Sequence, residues 1–241
     1  MATSTTRDHP LRRSLAACLP WTDGGGRAWR GWTRLPLLTP FVPLYLIASW
    51  ILFLPGAEPV PGNYIIDPEP VRPFLYHIPD LSRDFPRALG TLVTAPWLNH
   101  NAVQLVYVTV LLLLFGVVFE VKEGTRTTIA LFFGTTFAGA LAAGLLLHLL
   151  YPQVVDNAFM ARAWDRTWSG GSAGCFGLMG GLAARARVPW PLLALFVLWE
   201  VNVVAWYLRE YTPAFHLTAL VVGFLILRYA VAPTRVAMTA R

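Results

Sequence analysis

The stretch Trp168-Ser-Gly-Gly-Ser-Ala-Gly-Cys-Phe-Gly-Leu-Met-Gly-Gly181 opens an apolar run that continues to about residue 186. It contains six glycines. Glycine weakens a helix in water by about 1 kcal/mol relative to alanine, but within a bilayer it lets the backbone of a neighbouring helix come close. The stretch therefore predicts a central helix of a membrane-embedded bundle, with Ser172 near one end of that helix.

The composition agrees with a membrane protein. Of 241 residues, 56% are hydrophobic and only 13% are charged, whereas a soluble domain carries about 25% charged residues. Six apolar runs approach the length of about 20 residues that one bilayer crossing needs. They lie at roughly 37–55, 97–119, 127–150, 169–186, 190–208 and 213–231. We expect an all-α, multi-pass integral protein of a bacterial inner or plasma membrane, built as a bundle of six transmembrane helices.

The apolar runs divide the chain into three parts. Residues 1–35 are polar and rich in arginine, and we expect a cytoplasmic, largely disordered segment there. Residues 36–232 form the predicted six-helix membrane domain, and residues 233–241 a cytoplasmic tail. Within the membrane domain, residues 56–96 are predicted to be a long outer loop, because their many prolines exclude one continuous helix.

The distribution of basic residues predicts an orientation with both termini in the cytoplasm (N-in/C-in). On that assignment the inner segments hold thirteen Arg and Lys residues and the outer segments six. An excess of Arg and Lys is typical of cytoplasmic loops. The basic residues are scattered and form no stripe, so nucleic acid is not a predicted partner. Cys18 and Cys175 lie far apart in different kinds of segment and indicate neither a disulfide nor a metal site. No cofactor is predicted, and the lipid bilayer is the expected surrounding.

Ser172 and His216 are the residues best placed for chemistry. Each lies about three residues into a predicted helix that runs from outside to inside, so both sit about 5 Å below the outer boundary. Equal depth on two closely packed helices is what a Ser-His pair needs. Each residue also has a structural reading. Ser172 could be a small packing residue, and His216 could bind a backbone carbonyl at the membrane edge. The G-x-S-x-G pattern around Ser172 is set aside as a nucleophile elbow, because that motif requires a preceding strand and a soluble sheet.

Two motifs resemble the signatures of a known family. Gly170-Gly-Ser172-Ala-Gly-Cys-Phe-Gly177 is similar to the G-x-S-G-x-x-x-G motif of the rhomboid family of intramembrane serine proteases, with Ala173 replacing the second glycine. His216-Leu-Thr-Ala219-Leu-Val-Val-Gly223 is similar to the family's H-x-x-G-x-x-x-G motif, with Ala219 replacing a glycine. The resemblance covers roughly residues 37–231.

Two further features extend the resemblance. Phe176 matches an aromatic residue that packs on the histidine in the family, and Gly116-Val-Val-Phe-Glu120 resembles the end of the family's second helix. The resemblance implies a rhomboid-like bundle in which Ser172 is the nucleophile and His216 the base. Phe176 and Gly170 would support the site, and transmembrane helices of other proteins would be cleaved near the outer membrane face. No third, carboxylate member is apparent, so the sequence predicts a Ser-His dyad.

The chain departs from the family at the oxyanion positions. Active rhomboids carry H-x-x-x-N on the second helix, and counting back from Gly116 places Gln104 and Val108 at these positions. Gln104 can donate a hydrogen bond from its amide, whereas Val108 cannot. An upstream family histidine falls at Asn99, with His100 beside it, on the same helix face as Gln104.

These departures keep two other functions open. A rhomboid-like pseudoprotease would bind client membrane helices without cutting them, and an unrelated small transporter or scaffold is disfavoured because the chain has no internal repeat. Glu200, in the middle of the fifth apolar run, has two readings. It could tune the lateral access of substrate that the family resemblance places at this helix, or it could pair with a polar group on a neighbouring helix.

Overall fold

The computed structural model describes residues 10–22, 39–66, 68–203 and 211–231. Most of these residues are helical. In chain order the α-helices are α1 Pro10–Leu15, α2 Phe41–Phe53, α3 Pro68–Val71, α4 Asp80–Arg83, α5 Phe85–Thr94, α6 Ala102–Leu111, α7 Val117–Glu123, α8 Thr125–Leu150, α9 Ala158–Asp165, α10 Ser172–Arg185, α11 Trp190–Val203 and α12 Thr212–Leu225. The strands are β1 Ala57–Val60, β2 Asn63–Ile66, β3 Tyr76–His77 and β4 Thr167–Trp168. Short π-helical turns, Leu112–Gly116 and Ile226–Ala230, follow α6 and α12.

Three continuous helical segments are long and apolar enough to cross a bilayer. They are Ala102–Glu123, Thr125–Leu150 and Thr212–Ala230, and two shorter apolar helices lie at Phe41–Gly56 and Trp190–Asn202. The chain is thus a mainly helical membrane protein, while the count of six crossings and the N-in/C-in orientation stay predictions.

Helix α10 lies at the centre of the bundle but is shorter than the sequence indicates. It has 14 residues, about 21 Å at 1.5 Å per residue, and every residue from Ser172 to Ala184 is buried. The predicted run began at residue 169, but the helix starts only at Ser172 because Gly170 has a positive φ of 93°. Slightly earlier in the chain, Thr167 and Trp168 are paired as strand β4.

Glycines set the close contact between α10 and its neighbours. A Cβ at Gly180 would overlap the carbonyl oxygen of Leu220 on α12, and a Cβ at Gly223 would overlap the carbonyl oxygen of Gly177. On the other side of α10, a Cβ at Gly177 would overlap the hydroxyl of Thr135 on α8. The small residues of α10 and α12 therefore let the two backbones touch, as expected for helices packed within a membrane.

The long segment before α6 is structured and is divided into short elements. Strands β1 and β2 form an antiparallel hairpin, followed by α3, α4 and α5. In the short sheet formed by β3 and β4, Tyr76 pairs with Trp168 and His77 pairs with Thr167. This pairing ties the segment to the residues that lead into α10, and it fixes the stretch just before Ser172.

Glu120, in the middle of α7, connects this helix to the start of α2. It is fully buried, and its carboxylate accepts hydrogen bonds from the backbone N–H groups of Phe41 at 2.8 Å and Val42 at 3.0 Å. The Thr125 hydroxyl donates a third bond at 2.8 Å. The first N–H groups of a helix have no intrahelical partner, and the positive end of the helix dipole favours an anion, so Glu120 caps α2.

Part of the N-terminal segment packs against the bundle. Helix α1 and the turn Ala16–Cys18 belong to residues 1–35, for which the sequence predicts a largely disordered segment, and their residues Ser14 and Ala17 are buried. The Ser14 hydroxyl donates to the Val188 carbonyl, and the Lys122 ammonium donates to the Ala17 carbonyl at 2.6 Å. The rest of this segment, apart from residues 19–22, and the predicted tail 233–241 lie outside the described residues.

Candidate active site

Ser172 and His216 face each other across the contact of α10 and α12. The Ser172 Oγ lies 2.8 Å from the His216 Nε2. Ser172 is the first residue of α10 and His216 the fifth of α12. Ser172 is 8% exposed and His216 4% exposed. The distance is that of a hydrogen bond between a hydroxyl and a ring nitrogen, so a nucleophile and a base are within reach of each other.

A carboxylate lies on the other side of the imidazole. The Glu200 Oε1 is 2.7 Å from the His216 Nδ1, and Glu200, on α11, is 1% exposed. The sequence predicts a Ser-His dyad with no carboxylate beside His216, and this prediction is wrong. Of the two readings of Glu200, pairing with a polar group on a neighbouring helix is the one observed.

Phe176 holds the plane of the imidazole. Its ring stacks on the His216 ring with centroids 4.4 Å apart and planes 10° apart. Phe176 lies four residues after Ser172 on α10, one helical turn further along. The ring of His216 is therefore fixed by three contacts, one at each nitrogen and one on a face.

Gln104 binds the loop that leads into α10. Its Nε2 donates to the Ser169 carbonyl at 2.7 Å, and its Oε1 accepts from the His100 backbone N–H at 2.8 Å. A Cβ at Gly170 would lie only 2.5 Å from this Nε2. Gly170 is thus required twice, by its positive φ and by the approach of the Gln104 amide.

The side chains meet around a small cavity. Its volume is about 70 Å³, room for a few water molecules. The residues that line it are Tyr76, Leu92, Ala95, His100, Gln104, Ala140, Arg166, Trp168, Ser169, Gly170, Ser172, Ala173, Thr212, Phe215 and His216. Within the described part of the chain, no three His, Cys, Asp or Glu side chains come together in a way that could hold a metal ion. The arrangement offers acid–base and nucleophilic chemistry through its own side chains.

Comparison with known protein families identifies the chain. The family model for the rhomboid domain matches residues 86–233, which include Gln104, Ser172, Glu200 and His216. The chain belongs to the rhomboid family. No curated protein matches it, and no solved structure matches it. Rhomboids are usually intramembrane serine proteases, so this chain is an intramembrane protease or a pseudoprotease of that family.

Around the family's oxyanion positions, Val108 and Asn99 are buried and do not line the cavity, whereas His100 does. The sequence places Val108 one helical turn from Gln104 and so predicts it as an apolar wall of the cavity beside Ser172, but Val108 is fully buried and does not line that cavity. It lies about 6 Å further along the axis of α6 than Gln104, beyond the residues that line the cavity. Asn99 is 2% exposed, and neither side-chain polar atom has a partner among the described residues. The ring of His100 contacts the Thr167 carbonyl at 3.1 Å.

Glu200 is the residue whose partner sequence reasoning missed. The available signal was a lone carboxylate within an apolar helix, a position that is costly unless the charge is paired. The sequence does not show how α11 is rotated about its own axis. Because this helix is apolar on nearly all sides, its pattern does not reveal which face meets α12.

Proposed function

We propose that this rhomboid is an intramembrane serine protease that cleaves transmembrane helices of other proteins near the outer face of the membrane. Ser172 is the nucleophile and His216 the general base. The observation that carries the proposal is the 2.8 Å contact between the Ser172 Oγ and the His216 Nε2, made at the edge of a cavity with room for a few water molecules. A serine that only fills space needs no imidazole in hydrogen-bond reach.

The reaction follows from this geometry. The His216 Nε2 takes the hydroxyl proton as the Ser172 Oγ forms a bond to the scissile carbonyl carbon. The tetrahedral intermediate then loses its amine as the C–N bond breaks, and His216 returns the proton to the leaving nitrogen. A water molecule attacks the resulting acyl-enzyme, again giving its proton to His216, and the Ser172 Oγ is released as the hydroxyl with that proton.

Two sets of donors lie near the developing oxyanion. The first intrahelical bond of α10 runs from the Cys175 N–H to the Gly171 carbonyl at 3.1 Å. The N–H groups of the three residues before Cys175, beginning with Ser172, therefore point out of the helix end, whose dipole favours negative charge. The Gln104 amide has two N–H bonds, and one of them already binds the Ser169 carbonyl. The second is the donor that we assign to the oxyanion.

The alternative is a pseudoprotease that binds membrane helices without cutting them. It is favoured by Val108, which replaces a hydrogen-bonding residue of active rhomboids and is buried away from the cavity. Loss of one oxyanion donor lowers a rate by about 10²–10³-fold. A loss of that size slows a protease but leaves its serine activated, so the two functions differ in serine reactivity.

Labelling of the purified full-length protein with a fluorophosphonate tests the proposal. We expect labelling of the wild type, because the base activates Ser172, and no labelling of Ser172→Ala or His216→Ala. Ser49→Ala is the matched control: Ser49 is a fully buried serine that does not line the cavity, so labelling should persist. A wild type that labels no more than Ser172→Ala, while still binding a transmembrane peptide, would establish the pseudoprotease instead.

A further inference from the structure

The contact between Glu200 and His216 is made between two almost completely buried side chains. The Glu200 Oε1 and the His216 Nδ1 are 2.7 Å apart, and the two side chains are 1% and 5% exposed. They come from different helices, α11 and α12, so the contact is a product of the packing of the bundle. A carboxylate buried to this degree is costly unless a partner compensates for it.

Glu200 uses its oxygens differently from Glu120 and Glu123, two carboxylates whose side chains are also largely enclosed. Glu120 receives three hydrogen bonds and caps α2. Glu123 binds Arg185 through both oxygens, at 2.9 and 3.1 Å. Glu200 contacts His216 through Oε1, whereas its Oε2 has no partner among the described residues. A carboxylate placed for stability would be expected to use both oxygens, so the bond to His216 is what accounts for Glu200.

The bond determines which nitrogen of His216 carries the proton. A carboxylate only accepts hydrogen bonds, so the His216 Nδ1 must be the donor. In the neutral ring the Nε2 then has the lone pair, and the Nε2 is the atom that faces the Ser172 hydroxyl. When His216 takes the serine proton, the resulting imidazolium lies against a negative charge within a low-dielectric interior, where such an interaction is strong.

We infer that Glu200 is the positioning member of a Ser172–His216–Glu200 triad. It holds His216 in the tautomer that can accept the serine proton, and it stabilises the imidazolium that forms. The inference rests on the proposed protease function for its kinetic consequence, whereas the effect on the tautomer is a property of the resting protein. It replaces the two-residue site that the sequence predicts.

The test compares Glu200→Leu and Glu200→Gln with the wild type in detergent. Leucine removes the acceptor and the charge at similar volume, and glutamine removes the charge while keeping a polar group. Nitrogen NMR of isotope-labelled histidine reports the tautomer of His216, whose signals are those missing from a His216→Asn variant. Cleavage of a model transmembrane substrate gives kcat and KM, and thermal unfolding shows whether each variant folds.

We expect the Nδ1–H signal of His216 in the wild type and its loss in Glu200→Leu. We expect kcat to fall by about 10²–10⁴-fold in both variants with KM changed less than about threefold; replacing the aspartate of a catalytic triad lowers kcat by about 10⁴-fold. Glu123→Gln is the matched control, because the largely enclosed carboxylate of Glu123 binds Arg185 and does not contact His216. The thermal stability of this variant should fall, while the His216 signal and kcat stay as in the wild type.

Two results would overturn the inference: an Nδ1–H signal that persists in Glu200→Leu, or a kcat within about threefold of the wild type in either variant. If Glu200→Leu does not fold, the kinetics of Glu200→Gln decide. A wild type that neither labels nor cleaves would refute the protease function alone, and the His216 signal would still decide whether Glu200 sets the tautomer.

Discussion

Single residues in the loop before α10 determine how Ser172 is presented. Gly170 has a φ of 93°, and its N–H donates to the Ala95 carbonyl at 2.9 Å. The next residue, Gly171, packs so closely that a Cβ there would overlap the Tyr45 hydroxyl. The loop thus holds the start of α10 against both α2 and the turn that follows α5. Small changes in the loop should therefore shift the Ser172 side chain.

Replacement of Gly170 by alanine tests this. The new Cβ would press on the Gln104 Nε2 and would occupy a backbone conformation that L-residues adopt at a cost of about 1–3 kcal/mol. We expect Gly170→Ala to slow fluorophosphonate labelling of Ser172 by at least about tenfold, which corresponds to 1.4 kcal/mol. Gly90→Ala is the control, because a Cβ at Gly90 in α5 meets no atom within 4 Å. Equal labelling rates for the two variants would show that the conformation of Gly170 does not determine the position of Ser172.

Replacing Val108 by the asparagine of the family motif should not restore activity. Val108 is fully buried and lies outside the cavity lining, so an asparagine there would place an amide where the cavity does not reach it. A buried polar group without a partner costs about 1–3 kcal/mol. We expect Val108→Asn to lower thermal stability and to leave kcat no higher than that of the wild type. A rise in kcat of tenfold or more would show that position 108 does reach the oxyanion.

At the scale of elements, α10 and α12 form the contact on which the site depends. Ala219 is fully buried, and its Cβ lies 3.5 Å from the position that a Cβ on Gly139 of α8 would take. The face of α12 that follows His216 is thus packed against α8 as well as α10, and it has no room for a larger side chain.

Ala219→Leu should therefore displace α12 and carry His216 away from Ser172. Overpacking of a tight interface costs about 1–3 kcal/mol, so we expect lower thermal stability in detergent and loss of substrate cleavage. Ala219→Gly should be close to neutral in both measurements. Retention of stability and cleavage by the leucine variant would show that helix packing through this face does not place His216.

The same helix contacts explain how much of the site could be predicted. The glycine spacing in α10 and the small residues that follow His216 indicate which faces meet, so the Ser172–His216 pair could be predicted from equal depth on two neighbouring helices. The place of Glu200 beside His216 could not, because α11 has no distinct polar face. The start of α10 at Ser172 depends on the β3–β4 pairing, a contact between residues about ninety positions apart along the chain that local sequence does not encode.

At the scale of the whole molecule, the N-terminal turn is part of the packed structure. Cys18 is half-buried beside Lys122, whose ammonium binds the Ala17 carbonyl. Burial raises the pKa of the Cys18 thiol to about 11, although the charge of Lys122 acts in the opposite direction. The thiolate is the reactive form, so it becomes abundant only as the pH rises through about 11.

Cys18 should therefore react slowly with a maleimide between pH 7 and pH 9. The thiolate population is lower than that of an ordinary cysteine by about 100-fold, one factor of ten for each pH unit by which the pKa is raised. We expect modification, mapped to Cys18 by mass spectrometry, to accelerate by at least tenfold when the protein is unfolded in a strong detergent. Equal rates in the native and unfolded protein would show that residues 10–22 do not stay packed on the bundle in solution.

Cleavage of a model transmembrane substrate by the full-length protein in proteoliposomes shows whether this rhomboid is a serine protease. We expect two fragments from the wild type and from Ser49→Ala, with the cut in the part of the substrate helix near the outer face. We expect none from Ser172→Ala or His216→Ala, since removal of either residue costs about 10⁶-fold in a serine protease. Fragments formed by Ser172→Ala at the wild-type rate, or no fragments from the wild type, would contradict the proposed function.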